Sequence, residues 1–370
     1  MRVLFLTTHL EIGGIATYTV SLAKALARRG HQPLVVSSGG ALVQALAAAG
    51  IPHVNVDLRV KSELHPVVAA ALVRVSRVVR RYRPDVIHAQ TRVAHVVAGL
   101  VGRWARVPVV TTAHGFYRWR WGRRLFPFWG RRVIAIAPMT RRKLVKVCRV
   151  SPGRVVQILN GIEQPSVDPR RLEADVAWFR QAWGVAQGGP VIGSIARLGP
   201  AKGMPVLLQA FHRFRRQVPT AQLVIVGDGP EKPDLIRLAY ALGEQDHIVL
   251  TGFVEQTAVP LSVMDLYVQP SFREGFGLAL VEAMAMRRPV VASAVGGIRA
   301  IVRHGETGLL VPPRDPEALA DALGRLAADP AAAHAMGEAG YRRFQDHFTI
   351  DRVAAEVEQV YAAVVPLARR

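Results

Sequence analysis

The sequence predicts an α/β protein of two doubly wound domains, each a parallel sheet covered by helices on both faces. Three observations predict it. Short apolar runs alternate with helix-period segments along most of the 370 residues. The runs are apolar throughout instead of alternating apolar and polar, as strands buried on both faces must be. The alternation weakens at Asn160-Gly161-Ile162-Glu163-Gln164-Pro165 and then restarts, and this chain length suits two domains.

In the first half, Val3–Thr7 reads as a strand, Gly13-Gly14 as a turn, and Ala16 to Arg29 as a helix. Further strands fall at Pro33–Ser37, His53–Asp57, Asp85–Ala89, Val107–Thr112 and Arg132–Ala135. Between two of them, Val67, Val68, Ala71, Leu72, Val75, Val78, Val79 and Tyr82 recur at helix spacing, with arginines on the other face. Pro84 stops that helix. A helix from about Arg170 to Trp183 opens the second half. Strands follow at Val191–Ala196, Gln222–Val226, Ile248–Thr251, Leu266–Gln269, Pro289–Ala292 and Leu309–Val311, and Asp351–Leu367 is a final helix. The expected domains are residues 1–165 and 166–348.

Composition narrows the class. Half of the residues are hydrophobic, which excludes a disordered chain. The single cysteine, Cys148, excludes an internal disulfide framework and argues for a reducing compartment. The start, Val3-Leu4-Phe5-Leu6, is too short for a secretory signal core, and no apolar stretch approaches the length that spans a bilayer. A soluble or peripheral protein is expected.

The net charge of +21 is carried entirely by residues 1–165, which hold 26 basic and 5 acidic residues. The remaining residues hold 22 of each. Such a field attracts an anionic partner: membrane lipid, a lipid-linked phosphate or nucleic acid. An ordinary solvated face in an arginine-rich chain gives the same composition. Aromatic and basic residues interleave in a candidate membrane or acceptor patch, Arg118, Trp119, Arg120, Trp121, Arg123 and Arg124, with Phe126, Phe128, Trp129, Arg131 and Arg132 beyond. Trp beside Arg suits a headgroup layer or a base stack.

Ligands of open parallel sheets bind beyond the carboxyl ends of the strands, and the informative loops lie there. Gly13 and Gly14 allow close backbone approach at a helix start. The loop Ala196 to Gly203 carries Arg197 and Lys202, two cations before a helix, as a pyrophosphate site would have. Gly227-Asp228-Gly229-Pro230 and Thr251-Gly252-Phe253-Val254 end two more strands, and glycines such as Gly227 let a planar ring or a sugar of the donor lie against backbone. In Ser271 to Ala283, Glu274 precedes Gly275, Phe276, Gly277 and Leu278, which should open a helix with free N–H groups, and Glu282 lies about a turn further in. Two carboxylates flanking N–H donors suit hydroxyls on either side of a phosphate.

Taken together, and with Gly296-Gly297 and Gly305-Glu306-Thr307-Gly308-Leu309-Leu310, these motifs resemble glycosyltransferase family 4, the retaining enzymes of the GT-B fold with a Glu-x7-Glu motif. The resemblance runs in order over nearly the whole chain. It implies two Rossmann-like domains, an active site in the cleft that closes on the donor, and a last helix, about 349–370, returning to the first domain. It implies retaining transfer of a sugar from a nucleotide-sugar without a metal or other cofactor; the chain has no Asp-x-Asp motif. Arg197 and Lys202 would hold the diphosphate, Glu274 the sugar hydroxyls, Glu282 the ribose, and Val254 the base through its backbone. His114, in Thr112-Ala113-His114-Gly115, would face the donor sugar. UDP is the first expected donor nucleotide and GDP the next. No enzyme nucleophile stands out, which favours front-face attack.

The competing readings are a nucleotide-sugar epimerase on the same fold, and a basic nucleic-acid- or membrane-binding protein without catalysis. The basic first half favours a cytoplasmic enzyme, peripheral on the inner face of the membrane, with a lipid-linked or cell-envelope glycan acceptor and no nucleic-acid partner.

Overall fold

A computed structural model describes residues 1–60, 62, 65–115, 128–165 and 168–365. The chain forms two compact units, Met1–Glu163 with Phe348–Arg370, and Gln164–His347.

The first unit runs β1 (Arg2–Leu6), α1 (Gly14–Arg28), β2 (Gln32–Ser37), α2 (Val43–Ala48), β3 (His53–Asn55), α3 (Pro66–Tyr82), β4 (Val86–Ala89), α4 (Arg92–Ala105), β5 (Val109–Ala113), β6 (Arg132–Ala135), α5 (Pro138–Lys146) and β7 (Val155–Gln157). Its sheet has the order β3-β2-β1-β4-β5-β6-β7, parallel throughout. The last of these strands is additional to the expected set: Val155-Val156-Gln157 is three residues long and leaves little periodicity to detect.

Alternate residues of β1 feed opposite layers, because strand side chains point alternately to either face. Val3 and Phe5 pack with α1, while Leu4 and Leu6 pack with α3 and α4. Local chemistry sets the limits of α3. His65 Nδ1 accepts from Val67 N at 3.3 Å, Pro66 takes the first helical position, and Arg83 ends the helix in left-handed conformation at φ 51°.

The second unit runs α6 (Leu172–Trp183), β8 (Val191–Ile195), α7 (Met204–Arg215), β9 (Gln222–Val226), α8 (Lys232–Ala241), β10 (Ile248–Gly252), α9 (Ala258–Val263), β11 (Leu266–Gln269), α10 (Leu278–Ala285), β12 (Val290–Ser293), α11 (Ile298–Ile301), β13 (Leu309–Val311), α12 (Pro316–Ala328) and α13 (Pro330–His347). Its parallel sheet has the order β10-β9-β8-β11-β12-β13. Ile192, Leu223, Ile225, Val268 and Val291 form a core with Leu207, Phe211 and Phe214 of α7 and Leu319 and Leu323 of α12.

The chain then returns to the first unit. Ile162 N donates to Phe348 O and Ile350 N donates to Ile162 O, both at 2.9 Å. A Cβ on Gly161 would stand 2.7 Å from Thr349 O, so only glycine permits this approach. The final helix, α14 (Ile350–Ala362), packs on α1, burying Val353, Val357 and Tyr361. Arg28 joins Glu163 at 3.1 Å and Asp351 at 2.9 Å, while Arg29 joins Glu358 at 2.6 Å.

Candidate active site

In a doubly wound sheet, the crevice lies where the strand order reverses. In the second unit that point is between β8 and β11. The loop after β8 carries Arg197 and Lys202; the loop after β11 carries Glu274. Phe272 N donates to Ala201 O at 2.8 Å, which ties the two loops together. Gly203 makes the approach possible: it has φ +70°, and a Cβ there would lie 2.1 Å from Pro270 O.

The loops bring Lys202 Nζ to 2.6 Å from Glu274 Oε2. The same oxygen accepts from Ser271 Oγ at 3.2 Å and from Gln269 Nε2 at 3.3 Å. Tyr267 OH donates to Gln269 Oε1 at 2.7 Å and orients that amide. Burial raises the Tyr267 hydroxyl far above the ordinary tyrosine range, with the Glu282 and Glu274 charges adding to it, so it remains a donor. Glu274 is thus held through Oε2, while Oε1 accepts no hydrogen bond among the described residues. Arg197 is exposed and has no partner among the described residues.

Gly275, Phe276 and Gly277 lead into α10, which starts at Leu278. Phe276 is buried. Glu282 lies one turn inside α10; desolvation raises its carboxyl above the ordinary range, opposed by a hydrogen bond from Thr257. Val254 follows β10 and is half-buried, beside an exposed Phe253. Gly227 and Gly229 serve packing inside the unit: Cβ atoms there would meet Ala196 O at 1.9 Å and Leu198 O at 2.2 Å. They seat the Arg197 loop on the end of β9.

In the first unit the order reverses between β1 and β4. Gly13 caps α1 and Gly14 is its first residue. Among the described residues, a Cβ on Gly13 would find only Glu11 O, at 4.0 Å. His114 follows β5, and its Nε2 lies 2.8 Å from Gln90 Oε1 at the end of β4. The Tyr18 ring meets it edge-on, with centroids 5.1 Å apart. Burial pushes the His114 imidazole down to about 3, so it is neutral near pH 7. Beneath it, His88 is fully buried between Tyr361 OH and Thr112 Oγ1, each at 2.7 Å, and is also lowered to about 3 by burial.

The patch residues Arg118, Trp119, Arg120, Trp121, Arg123 and Arg124 lie outside the described residues. Trp129, expected at a headgroup layer, is instead 3% exposed. It packs with Ala113, Val133, Ala135, Leu144, Val150 and Val155, and its carbonyl accepts from Thr111 Oγ1 at 2.9 Å. Burial of its ring wins over the interfacial position that the neighbouring arginines suggest. Arg131 and Arg132 donate to the carbonyls of Val364 and Gly153. Other exposed arginines are Arg74, Arg77, Arg80 and Arg81 of α3, Arg83 after it, Arg103 of α4 and Arg106 after it; the same two helices expose Val73 and Trp104, the latter 63% exposed.

Sequence reading missed Gln90, Tyr267, Gln269, Ser271 and Thr257. One signal was available for the middle three. Tyr267 and Gln269 on β11, and Ser271 two residues past its last position, recur at period two beside apolar neighbours, and buried polar side chains there need partners.

Two family descriptions match this chain: "Glycosyltransferase Family 4" over residues 12–164 and "Glycosyl transferases group 1" over residues 176–343. The chain belongs to glycosyltransferase family 4. It is 25% identical to N-acetyl-alpha-D-glucosaminyl L-malate synthase of Bacillus anthracis, over 97% of this chain and 96% of that protein. It is 37% identical to GDP-mannose-dependent alpha-(1-6)-phosphatidylinositol monomannoside mannosyltransferase of Mycolicibacterium smegmatis, over 48% of this chain and 49% of that one. Among solved structures, Anabaena HepE in complex with UDP and glucose superposes with a TM-score of 0.85 at 24% identity, covering 98% of this chain and 100% of that one. A glycosyltransferase from Rickettsia africae superposes at 0.87 with 20% identity, over 99% of each chain. The family 4 chain is therefore a glycosyltransferase of the GT-B fold, with the pair Lys202–Glu274 at the switch point of its second sheet.

Proposed function

We propose that this glycosyltransferase transfers a sugar from a nucleotide-sugar to an acceptor hydroxyl with retention of anomeric configuration. One observation carries the reading: Glu274 has one carboxylate oxygen fixed by three donors and the other left for a ligand. A carboxylate oxygen so presented accepts hydrogen bonds from sugar hydroxyls. Lys202 and Arg197 bind the diphosphate and stabilise the charge that grows on it as the glycosidic bond breaks. Their two cations serve where other enzymes place a metal. The desolvated Glu282 gains hydroxyl donors from the ribose, and neutral His114 reads a hydroxyl of the donor sugar.

The mechanism is front-face attack. The acceptor hydroxyl loses its proton to the leaving phosphate on the face where it attacks. Glu274 is a poor nucleophile because Lys202 and two further donors hold its charge. A UDP-sugar is the first candidate donor and a GDP-sugar the second; the mycobacterial relative's name carries GDP-mannose. NMR of the product tests the stereochemistry. The donor's anomeric configuration supports the reading, and its inversion rejects it.

The acceptor is proposed to be lipid-linked, with the first unit docked on an anionic leaflet. The arginines on α3 and α4, with Trp104 and Val73 exposed on the same helices, support this. No helix among the described residues is long and apolar enough to cross a membrane. Co-sedimentation with anionic vesicles, lost in high salt, supports docking; equal recovery with neutral vesicles rejects it.

A further inference from the structure

We infer that Arg131, Arg132 and Arg154 form a binding site for a phosphate-bearing anion, at the end of the first unit's sheet where its strands begin. The site is separate from the donor site, because ligands of doubly wound sheets bind where the strands end. The argument starts from register. Strands β6 and β7 pair through Val133↔Val155, Ile134↔Val156 and Ala135↔Gln157. Arg132 opens β6 and Arg154 immediately precedes β7, so the two arginines stand side by side. Like charges on neighbouring strands repel. No carboxylate of the surrounding sequence offsets them, because residues 86–162 and 359–370 include neither Asp nor Glu. Among the described residues, the three arginines bond only to backbone carbonyls.

Those carbonyls hold the guanidinium groups in place. Arg132 donates to Gly153 O and Arg154 donates to Gly130 O, so each reaches across to the segment that leads into the other's strand. Arg131 Nη1 donates to Val364 O at 3.3 Å, just past the end of α14. Gly130 permits the arrangement: it has φ +67°, and a Cβ there would stand 2.3 Å from Val109 O. A guanidinium has five N–H donors, and these contacts use one on each arginine. The remaining donors line an open cavity of about 490 Å³, bounded among the described residues by Gly130, Arg131, Arg132, Arg154, Ala363 and Val364. That volume suits a small organic ligand and exceeds what a bare phosphate fills.

Charge and shape select the ligand. The planar fork of arginine matches phosphate oxygens two at a time. Three cations with no carboxylate beside them favour a dianion over a single carboxylate. Arg106 after α4 and Arg149 after α5 add positive charge at the same end of the sheet. Both are left-handed, at φ 55° and 54°, where glycine is the easier residue. Capping of the last carbonyls of α14 accounts for Arg131, but it leaves the side-by-side pair unexplained. A bound phosphate would join the starts of β6 and β7 to the end of α14.

Arginine footprinting with phenylglyoxal, read by mass spectrometry, tests this on the wild-type protein. Inorganic pyrophosphate and glucose 6-phosphate are the soluble probes. Phosphatidic acid vesicles present the same group on a lipid, with phosphatidylcholine vesicles as the control. Protection of Arg131, Arg132 and Arg154 by a soluble probe supports the site and assigns it a soluble ligand. Protection by phosphatidic acid vesicles alone supports the site and assigns it a lipid headgroup. No protection, or protection no greater than that given by potassium chloride at matched ionic strength or by phosphatidylcholine, overturns the inference. Binding of the protecting probe is then measured by calorimetry in Lys202→Ala, where the donor site is disabled. Adding Arg132→Gln and Arg154→Gln should weaken it by about tenfold or more, and an unchanged affinity overturns the inference. If that protein does not fold, the wild-type footprint decides.

Discussion

Lys202 Nζ stands 2.6 Å from Glu274 Oε2, with 26% of the lysine side chain and 13% of the glutamate side chain exposed. The two residues are 72 positions apart and meet only because β8 and β11 are neighbours in the sheet. The pair is open enough to take a ligand and dry enough for its charges to matter.

Replacing Lys202 by Ala removes the cation and leaves Glu274 with Ser271 and Gln269 as donors. Loss of one such electrostatic group from a reacting site costs about 10²–10³ in kcat. Steady-state release of the nucleoside diphosphate measures it, and a Lys202→Ala enzyme within twofold of wild type contradicts the assignment.

Gly203 and Gly199 give a matched contrast in one loop. Gly203→Ala puts a Cβ 2.1 Å from Pro270 O at φ +70°, whereas Gly199→Ala meets nothing within 4 Å among the described residues. The first should lower stability by more than about 1 kcal/mol and reduce activity; the second should leave both unchanged. Thermal melts of the two variants check this. Equal melts would mean that the loop is not held as described.

Much of this architecture was legible in the sequence, for reasons that mark where reading stops. Runs such as Val3–Leu6 and Gln222–Val226 are long and apolar enough to announce strands, and the glycines and cations after them announce loops at strand ends. Contacts across the sheet are different. That Gln90 meets His114, or that Ser271 and Gln269 share an oxygen with Lys202, depends on strand order and register, which no local pattern encodes. Trp129 shows the same limit: a tryptophan beside arginines reads equally well as interfacial or buried, and packing against Leu144 and Val155 decides.

His88 and His114 make the first unit sensitive to acid. Both are lowered to about 3, whereas an unfolded histidine titrates near 6.5. Above pH 6.5 neither state takes up a proton and stability is flat. Between about 6.5 and 3 the unfolded chain binds protons that the folded chain does not, so stability falls by about 1.4 kcal/mol per pH unit for each histidine. Melting temperatures from pH 7.5 to 4.5 should show this slope, shallower in His114→Gln. An identical slope in that variant would remove His114 from the explanation.

Tyr361 anchors α14 through the 2.7 Å contact of its hydroxyl with His88 Nδ1. Tyr361→Phe keeps the ring and strands a buried nitrogen, at a cost of about 1–3 kcal/mol. A lower melting temperature and faster proteolysis of the C-terminal helix should follow. Wild-type behaviour in both would show that the helix is held by its apolar face alone.

Donor binding to the isolated enzyme tests the central claim most directly. A ligand at 100 times its dissociation constant stabilises the folded state by about 2.7 kcal/mol, which a thermal-shift assay resolves. With a panel of UDP- and GDP-sugars, the account predicts that at least one raises the melting temperature of the wild type and has little effect on Lys202→Ala and Glu274→Ala. Equal shifts in wild type and both variants, or no shift with any nucleotide-sugar, would contradict it.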